Sequence, residues 1–224
     1  MANEQNQVQT EAVDMGEKLG KVEKFFEENQ KVVYGVLIAI VAVVLIGFLG
    51  KKYYLDPKNE EAEAKLVWCE MNLGRDSFAL ALNGDGINSG YAEIYSSYSI
   101  TKAKNEAAIG AATCAYHLGK YDEAIDYAKK ANRKSVNFAP AMDGLIGDCY
   151  VEKGDIDQAL KYFQKAVDYK NEAISPIFLK KMGDLYLYEK KDNAKALECY
   201  QTIKDTYFAS PLAYDIDKYI ELVK

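Results

Sequence analysis

An all-α chain, one membrane-spanning helix near the amino terminus followed by a helical solenoid, is predicted by three observations. Residues 32–50 form an apolar run of 19 residues without a charge, an amide or a proline. Pro140, Pro176 and Pro211 stand 36 and 35 residues apart, a period that belongs to stacked helical pairs. Between these prolines, small and aromatic residues return at fixed offsets, as packed helix pairs require.

The 224 residues are 49% hydrophobic and 28% charged, enough for one medium domain or two small ones. The net charge of -6 splits as -3 over residues 1–31, zero over 32–50 and -3 over 51–224, so no part is a cationic nucleic-acid surface. A single histidine, His117, excludes His-rich metal sites and any Ser-His or Cys-His chemistry not built on that residue. No catalytic, cofactor-binding or metal-ligating residues are expected, and the chain does not read as an enzyme.

Residues 1–31 make a polar amino-terminal tail. Within it Met15, Leu19, Val22 and Phe25 or Phe26 recur at helical spacing with Glu and Lys between them. Such an amphipathic helix suits a membrane surface or a partner's membrane-proximal face, and a solvated helix running into the span would look the same.

The run at 32–50, VVYGVLIAIVAVVLIGFLG, is about 28 Å long as a helix against a hydrocarbon core of roughly 30 Å, so it spans a lipid bilayer. A cleaved signal peptide would begin with a short basic segment, whereas the 31 preceding residues are long and acidic and the exit reads Lys51-Lys52-Tyr53-Tyr54. A buried helix of a soluble core would carry a polar stripe, which this run lacks. Charge leaves the orientation open: Lys18, Lys21, Lys24 and Lys31 on one side match Lys51, Lys52, Lys58 and Lys65 on the other. The Lys51-Lys52 doublet leans toward a cytoplasmic carboxyl-terminal side, but the rule loses force for a long translocated domain.

Residues 51–104 read as a linker and an atypical helical pair. Ala62, Leu66, Cys69 and Leu73 predict a helix within 58–82, and a second is expected over 91–98. The joining loop, Asn83-Gly84-Asp85-Gly86-Ile87-Asn88-Ser89-Gly90, fails as a calcium loop: with Gly86 as the invariant glycine, its first and twelfth ligands would be Ala81 and Ala92. It also fails as a dinucleotide loop, since no strand precedes it. An Asx- and Gly-based turn is the expectation.

Three repeats occupy residues 105–210. Numbering from Asn105, Pro140 and Pro176, position 8 is Ala112, Gly147 and Gly183, and position 11 is Ala115, Tyr150 and Tyr186. The turn after the first helix reads Gly119-Lys120-Tyr121 and Gly154-Asp155-Ile156, and gains one residue in the third copy at Lys190-Lys191-Asp192-Asn193. Past that insertion, position 20 is Ala124, Ala159 and Ala196, and position 24 is Ala128, Phe163 and Tyr200. The Ser-Pro pairs at 175–176 and 210–211 read as a cap followed by proline at the first helical position. This pattern resembles the tetratricopeptide repeat, whose small residues at positions 8 and 20 let paired helices approach while large ones at 24 fill the gap. It departs from that family at position 4, where Ala108, Asp143 and Leu179 stand in place of a common Trp, and in a period of 35 or 36 residues. Residues 211–224 are expected to form an amphipathic capping helix, with Leu212, Ile216, Tyr219 or Ile220, and Val223 on one face.

Cys114, Cys149 and Cys199 fall on helical positions without Cys-x-x-Cys spacing and read as core thiols, a disulfide between equivalent helices being the other reading. His117 reads as a surface or capping residue. The 18 tyrosines read as packing with polar tips.

The resemblance places first-helix positions 2, 5, 9 and 12 on the concave face: Ile109, Thr113 and Tyr116; Gly144, Asp148 and Val151; Ile177, Lys180, Asp184 and Leu187. Only Lys180 would suit a clamp for acidic tails, so an extended peptide or a partner's helix is the expected ligand. The same face could instead pack on the chain's own capping helix. Tyr116, Asp148 and Lys180 are expected to point away from the helix-pair core, so that substituting them would weaken partner capture without moving the melting temperature.

The order of tail, span, atypical pair and three repeats, with the segment DSFALALNGDGINSGYAEIYSSYSITKAKNEAA and the following AYHLGKYDEAIDYAKKA, resembles the YfgM-like family. These are ancillary SecYEG translocon subunits of the bacterial inner membrane. The resemblance implies a single-pass protein with a cytoplasmic amino terminus and a periplasmic carboxyl-terminal domain. It also implies a scaffold working with the SecYEG translocon, a membrane-anchored periplasmic chaperone (PpiD-like) and emerging secreted chains, without a cofactor. A scaffold of another envelope complex and a cytoplasm-facing anchored receptor share the architecture.

Overall fold

The computed structural model describes residues 24, 25, 27–132 and 138–224, and every described element is helical apart from one isolated bridge between Gly84 and Ser89. Of the amphipathic helix expected from Met15, Leu19, Val22 and Phe25 or Phe26, Phe25 alone is described, exposed, and the rest lies outside the described residues. Two compact units divide between Asp56 and Pro57.

The first unit holds α1 (Gln30–Gly50) and a π-helical turn, Lys51–Leu55. No residue of α1 is buried. It belongs to a helix long and apolar enough to cross a membrane, and an apolar helix that buries none of its residues fits a lipid environment.

The second unit begins at Pro57, the second residue of α2 (Asp56–Leu73), which buries Ala62, Leu66 and Cys69. The helix expected within 58–82 is in fact two. Gly74 to Ser77 break it, with Asp76 in the left-handed region, and α3 (Phe78–Asn83) follows. The loop after α3 is the Asx turn expected: the Ile87 and Asn88 amides donate to Asp85 Oδ1 at 2.9 and 2.7 Å. Burial at Gly90 and Tyr91 then starts α4 (Tyr91–Ser97).

Three helix pairs follow: α5 (Ala103–His117) with α6 (Tyr121–Lys130), α7 (Phe138–Glu152) with α8 (Ile156–Asp168), and α9 (Ser175–Leu185) with α10 (Asn193–Thr206). Each helix from α3 to α11 (Pro211–Val223) touches its successor, the signature of a solenoid. Close approach is set by missing side chains. Gly147 faces the Phe163 ring and Gly183 the Tyr200 ring, each position 8 against its own position 24. In the first pair the same two positions, Ala112 and Ala128, are both small and fully buried.

The turns explain the insertion. Gly119 and Gly154 adopt positive φ after α5 and α7, and the next amides, of Lys120 and Asp155, return to the carbonyls of Ala115 and Tyr150. In the third pair α9 runs into a π-helical turn, Tyr186–Lys190, that absorbs the extra residue. Lys191 takes the left-handed position without being glycine, and Asp192 closes the turn by donating its amide to Tyr186 O at 2.8 Å.

The Ser-Pro pairs are not equivalent. Ser210 caps α11 as expected, accepting from the Leu212 amide at 3.3 Å. Ser175 does not cap: it is fully buried, and its hydroxyl donates to Val167 O at 3.1 Å and accepts from the Asn171 amide at 3.0 Å. It ties the end of α8 to the start of α9.

Candidate functional site

Ile177, Lys180, Lys181 and Asp184 lie on one side of α9, Ala209 and the cap Ser210 lead into α11, and Pro211 and Leu212 begin it. Together with Glu172 and Ala173 they line an open groove of about 840 Å³. First helices of successive pairs approach here. Gly144 allows it upstream, since a Cβ there would fall 1.7 Å from Phe178 Cζ. Gly144 is therefore buried beneath Phe178 and does not line the face where the repeat register placed it.

The lysines of the groove and Asp184 are already engaged, while Glu172 at its edge is exposed. Lys181 on α9 donates to both carboxylate oxygens of Asp148 on α7, at 2.6 and 2.7 Å, and its ammonium lies 5.4 Å from the Phe178 ring centre. Burial raises the Asp148 carboxyl above its ordinary range, and the Lys181 bond only partly opposes it. Lys180 donates to Asp184 at 2.7 Å and sits 4.2 Å over the Tyr219 ring of α11. Burial lowers the Lys180 ammonium, but Asp184 and Tyr219 outweigh it and the net shift is upward. Asp184 also accepts from Tyr200 at 2.9 Å, joining α9 to α10.

Of the expected contact residues, Lys180 and Asp184 line this groove, together with Ile177. The others do not. Ile109 and Tyr116 pack against the core around α5, Val151 against that of the second pair, and Leu187 against that of the third. Thr113 turns its hydroxyl back to Ile109 O at 3.0 Å. Asp148 is spent on Lys181.

Tyr116, Asp148 and Lys180, expected to point away from the helix-pair core and to be substitutable at unchanged melting temperature, all make contacts within the fold. Asp148 joins α7 to α9 through Lys181, and Lys180 joins Asp184 of α9 to Tyr219 of α11. Tyr116 is half-buried, its ring 6.0 Å from that of Tyr121, and burial followed by the nearby Asp148 and Glu152 carboxylates raises its hydroxyl pKa. Substituting any of the three should also cost stability. Lys181 and Leu212 were missed by the register. The signal for Lys181 was Asp148 itself, a carboxylate on a packed helix that needs a cation one repeat later.

His117 is exposed and stacks on Phe78, ring centres 4.2 Å apart and nearly parallel. All four cysteines are buried free thiols, so the core-thiol reading holds and the disulfide reading does not. Burial pushes Cys69 up to about 11 and Cys114, Cys149 and Cys199 up to about 12.

Two segments match models of the tetratricopeptide repeat, residues 95–136 and residues 144–172. They take in the α5–α6 pair and the α7–α8 pair from Gly144 onward, and α9–α10 repeats the glycine-to-aromatic contact of the second. A search of curated proteins finds no match to the chain. The chain is a helical array carrying tetratricopeptide repeats behind an apolar amino-terminal helix, an architecture that indicates a protein-interaction scaffold.

Proposed function

We propose that this scaffold serves the SecYEG translocon of a bacterial inner membrane, assisting export or folding of secreted proteins beside a membrane-anchored periplasmic chaperone. The observation that carries the reading is the order of elements: an apolar helix, then the α2–α4 segment, then three repeats and a cap. This is the order implied by the YfgM-like resemblance. In this reading the amino terminus is cytoplasmic, the repeats are periplasmic, and the groove between α9 and α11 holds a partner segment. The groove's lysines are neutralised by Asp148 and Asp184, which disfavours an acidic tail and suits an apolar anchor beside Ile177 and Leu212.

Gentle detergent purification of the tagged full-length protein, with identification of stoichiometric partners, tests the proposal. Recovery of the translocon and a membrane-anchored chaperone is the expected result. Purification alone, under conditions that keep the translocon intact, overturns it.

The Lys51-Lys52 doublet favours a second reading, a cytoplasm-facing receptor. Asn59 is a poor labelling position, because its side-chain oxygen accepts from the Lys102 amide at 3.1 Å. Glu60 is exposed, and every native thiol is buried. In intact cells, Glu60→Cys should react with an impermeant thiol reagent from the periplasmic side. Labelling only after membrane disruption would favour the receptor.

A further inference from the structure

The two ends of the solenoid are finished differently. Outside α11 lie Asp215, Asp217, Lys218 and Glu221, charged residues interleaved with Tyr214 and Leu222, a cover that water tolerates. Helix α2, at the other end, is apolar on both sides. Its inner face carries Ala62, Leu66 and Cys69 into the core. Its outer face carries Ala64, Val67 and Met71, spaced three and four residues apart and pointing directly away from that core. Val67 is 64% exposed and Met71 44%.

The patch is wider than the helix. Trp68 flanks it, and a shallow cleft of about 310 Å³ joins Ala64 and Trp68 to Ile87. Ile87 is 93% exposed at the tip of the Asp85 turn, where the Ile87 and Asn88 amides donate to the Asp85 carboxylate. A repeat array needs polar cover at its termini, and among the described residues none lies over this face.

Charge decides what can provide it. Glu60 heads the stripe and Glu63 and Glu70 line its other flank, all exposed and without an ion-pair partner among the described residues. Of the cations of this segment, Lys65 lines the cleft beside Ala64 and Trp68 but is already held there with Glu61, and the others lie off the stripe. Lys58 and Lys65 fall on the core-side flanks by register, Lys65 being held by Tyr98 at 2.7 Å and Glu61 at 3.2 Å, and Arg75 lies in the turn beyond the helix. A second copy would bring Glu60, or the Glu63 and Glu70 flank, against the same carboxylates with nothing to neutralise them. We propose that the outer face of α2 docks an amphipathic helix of a partner protein, with an apolar stripe seated on Val67, Met71 and Ile87 and Lys or Arg residues facing Glu60, Glu63 and Glu70. This site is separate from the groove between α9 and α11 and does not depend on what that groove binds.

Trp68 is the single tryptophan of the chain and reports on the patch directly. The test uses the full chain in phosphatidylcholine nanodiscs and a tryptophan-free 18-residue helical peptide, a leucine stripe flanked by lysines, with its glutamate-for-lysine isomer as comparison. The lysine peptide should shift Trp68 emission saturably, binding about tenfold more tightly than the glutamate isomer and losing affinity as salt rises. Val67→Glu with Met71→Glu should abolish the shift without altering the melting temperature, and Ile177→Glu should leave it intact. Equal binding of both peptides would overturn the proposal. So would a shift surviving the double substitution, which would place the peptide in the bilayer. A concentration-dependent Trp68 shift without peptide, accompanied by a doubled mass, would assign the face to a second copy.

Discussion

A Cβ placed on Gly147 would fall 2.4 Å from Cδ1 of Phe163, so the ring of α8 occupies the volume that any other residue at 147 would need. Gly183 and Tyr200 repeat the relationship, again at 2.4 Å, in the next pair. Two aromatic rings thus set the spacing of two helix pairs.

Gly147→Ala pits two effects against each other. Helix propensity favours alanine by about 1 kcal/mol, while overpacking a closed contact costs about 1–3 kcal/mol. With Phe163 only 1% exposed the ring has little room to retreat, so a net loss is expected in denaturant titrations. Phe163→Leu in the Gly147→Ala background should lose less than the sum of the two single changes.

Ala159 sits at position 20 of α8 and is fully buried, and α8 packs on α7. Ala159→Trp should cost about 1–3 kcal/mol or more. Asp157, two residues away, has a side chain 83% exposed, and its contact with Lys190 is a surface ion pair of roughly 0–1 kcal/mol. Asp157→Trp should therefore move the melting temperature little. Equal destabilisation by both would mean that the register of the second helices is wrong.

The period of the repeats was legible because prolines and small residues are strongly constrained where helices begin and touch. Position 8 against position 24 follows from that register alone. What the register could not give is direction across repeats. Gly144 was read as a lining residue because position 5 was assumed to face a ligand, whereas Phe178 of the next first helix lies over it. Lys181 was passed over because its neighbour Lys180 filled the assigned position, although Asp148 needed a cation. The break after Leu73 hid in a continuous apolar spacing, and only Gly74 and the turn-prone Asp76-Ser77 marked it. The outer face of α2 was readable as Ala64, Val67 and Met71, but spacing alone does not say which of two apolar faces is the inner one.

The Asp148 carboxyl has a folded pKa raised by burial, so the folded state holds its proton more tightly than the unfolded chain. Its contribution to stability is then best below the ordinary carboxylate pKa and declines as pH rises through the folded value. Relative to wild type, Asp148→Asn should look least favourable at acid pH and improve as pH rises through that window. Urea titrations from pH 3 to 7 check this. A difference growing more unfavourable toward neutrality would show that the Lys181 bond outweighs burial.

Buried thiols give the opposite end of the pH scale. Cys114, Cys149 and Cys199 stand near 12 against an ordinary 9.0, so the folded state retains protons that the unfolded chain releases. Stability should fall as pH rises above about 9, and Cys149→Ala should flatten that slope. At pH 8 an aromatic disulfide reagent should find the thiols unreactive until denaturant unfolds the repeats. Rapid reaction of a native thiol would contradict the burial of all four.

Anchoring changes what a weak groove can hold. Confinement of two proteins to one membrane raises effective concentration toward the millimolar range, so a contact too weak to persist in solution becomes persistent without any new interaction. Residues 57–224 form a compact unit of their own, which allows the comparison to be made. That unit alone should bind the translocon or its chaperone weakly, while the full chain co-purifies with them. Ile177→Glu is the apt groove substitution, because Ile177 is 45% exposed and makes no ion pair that the fold needs. It should lower partner recovery from the full chain at unchanged melting temperature, whereas Lys180→Ala should lower both, since Lys180 also binds Asp184 and Tyr219. If the isolated unit captures partners as well as the full chain, affinity resides in the repeats and the anchor contributes no avidity. If Ile177→Glu leaves recovery unchanged, the partner sits on another face of the array.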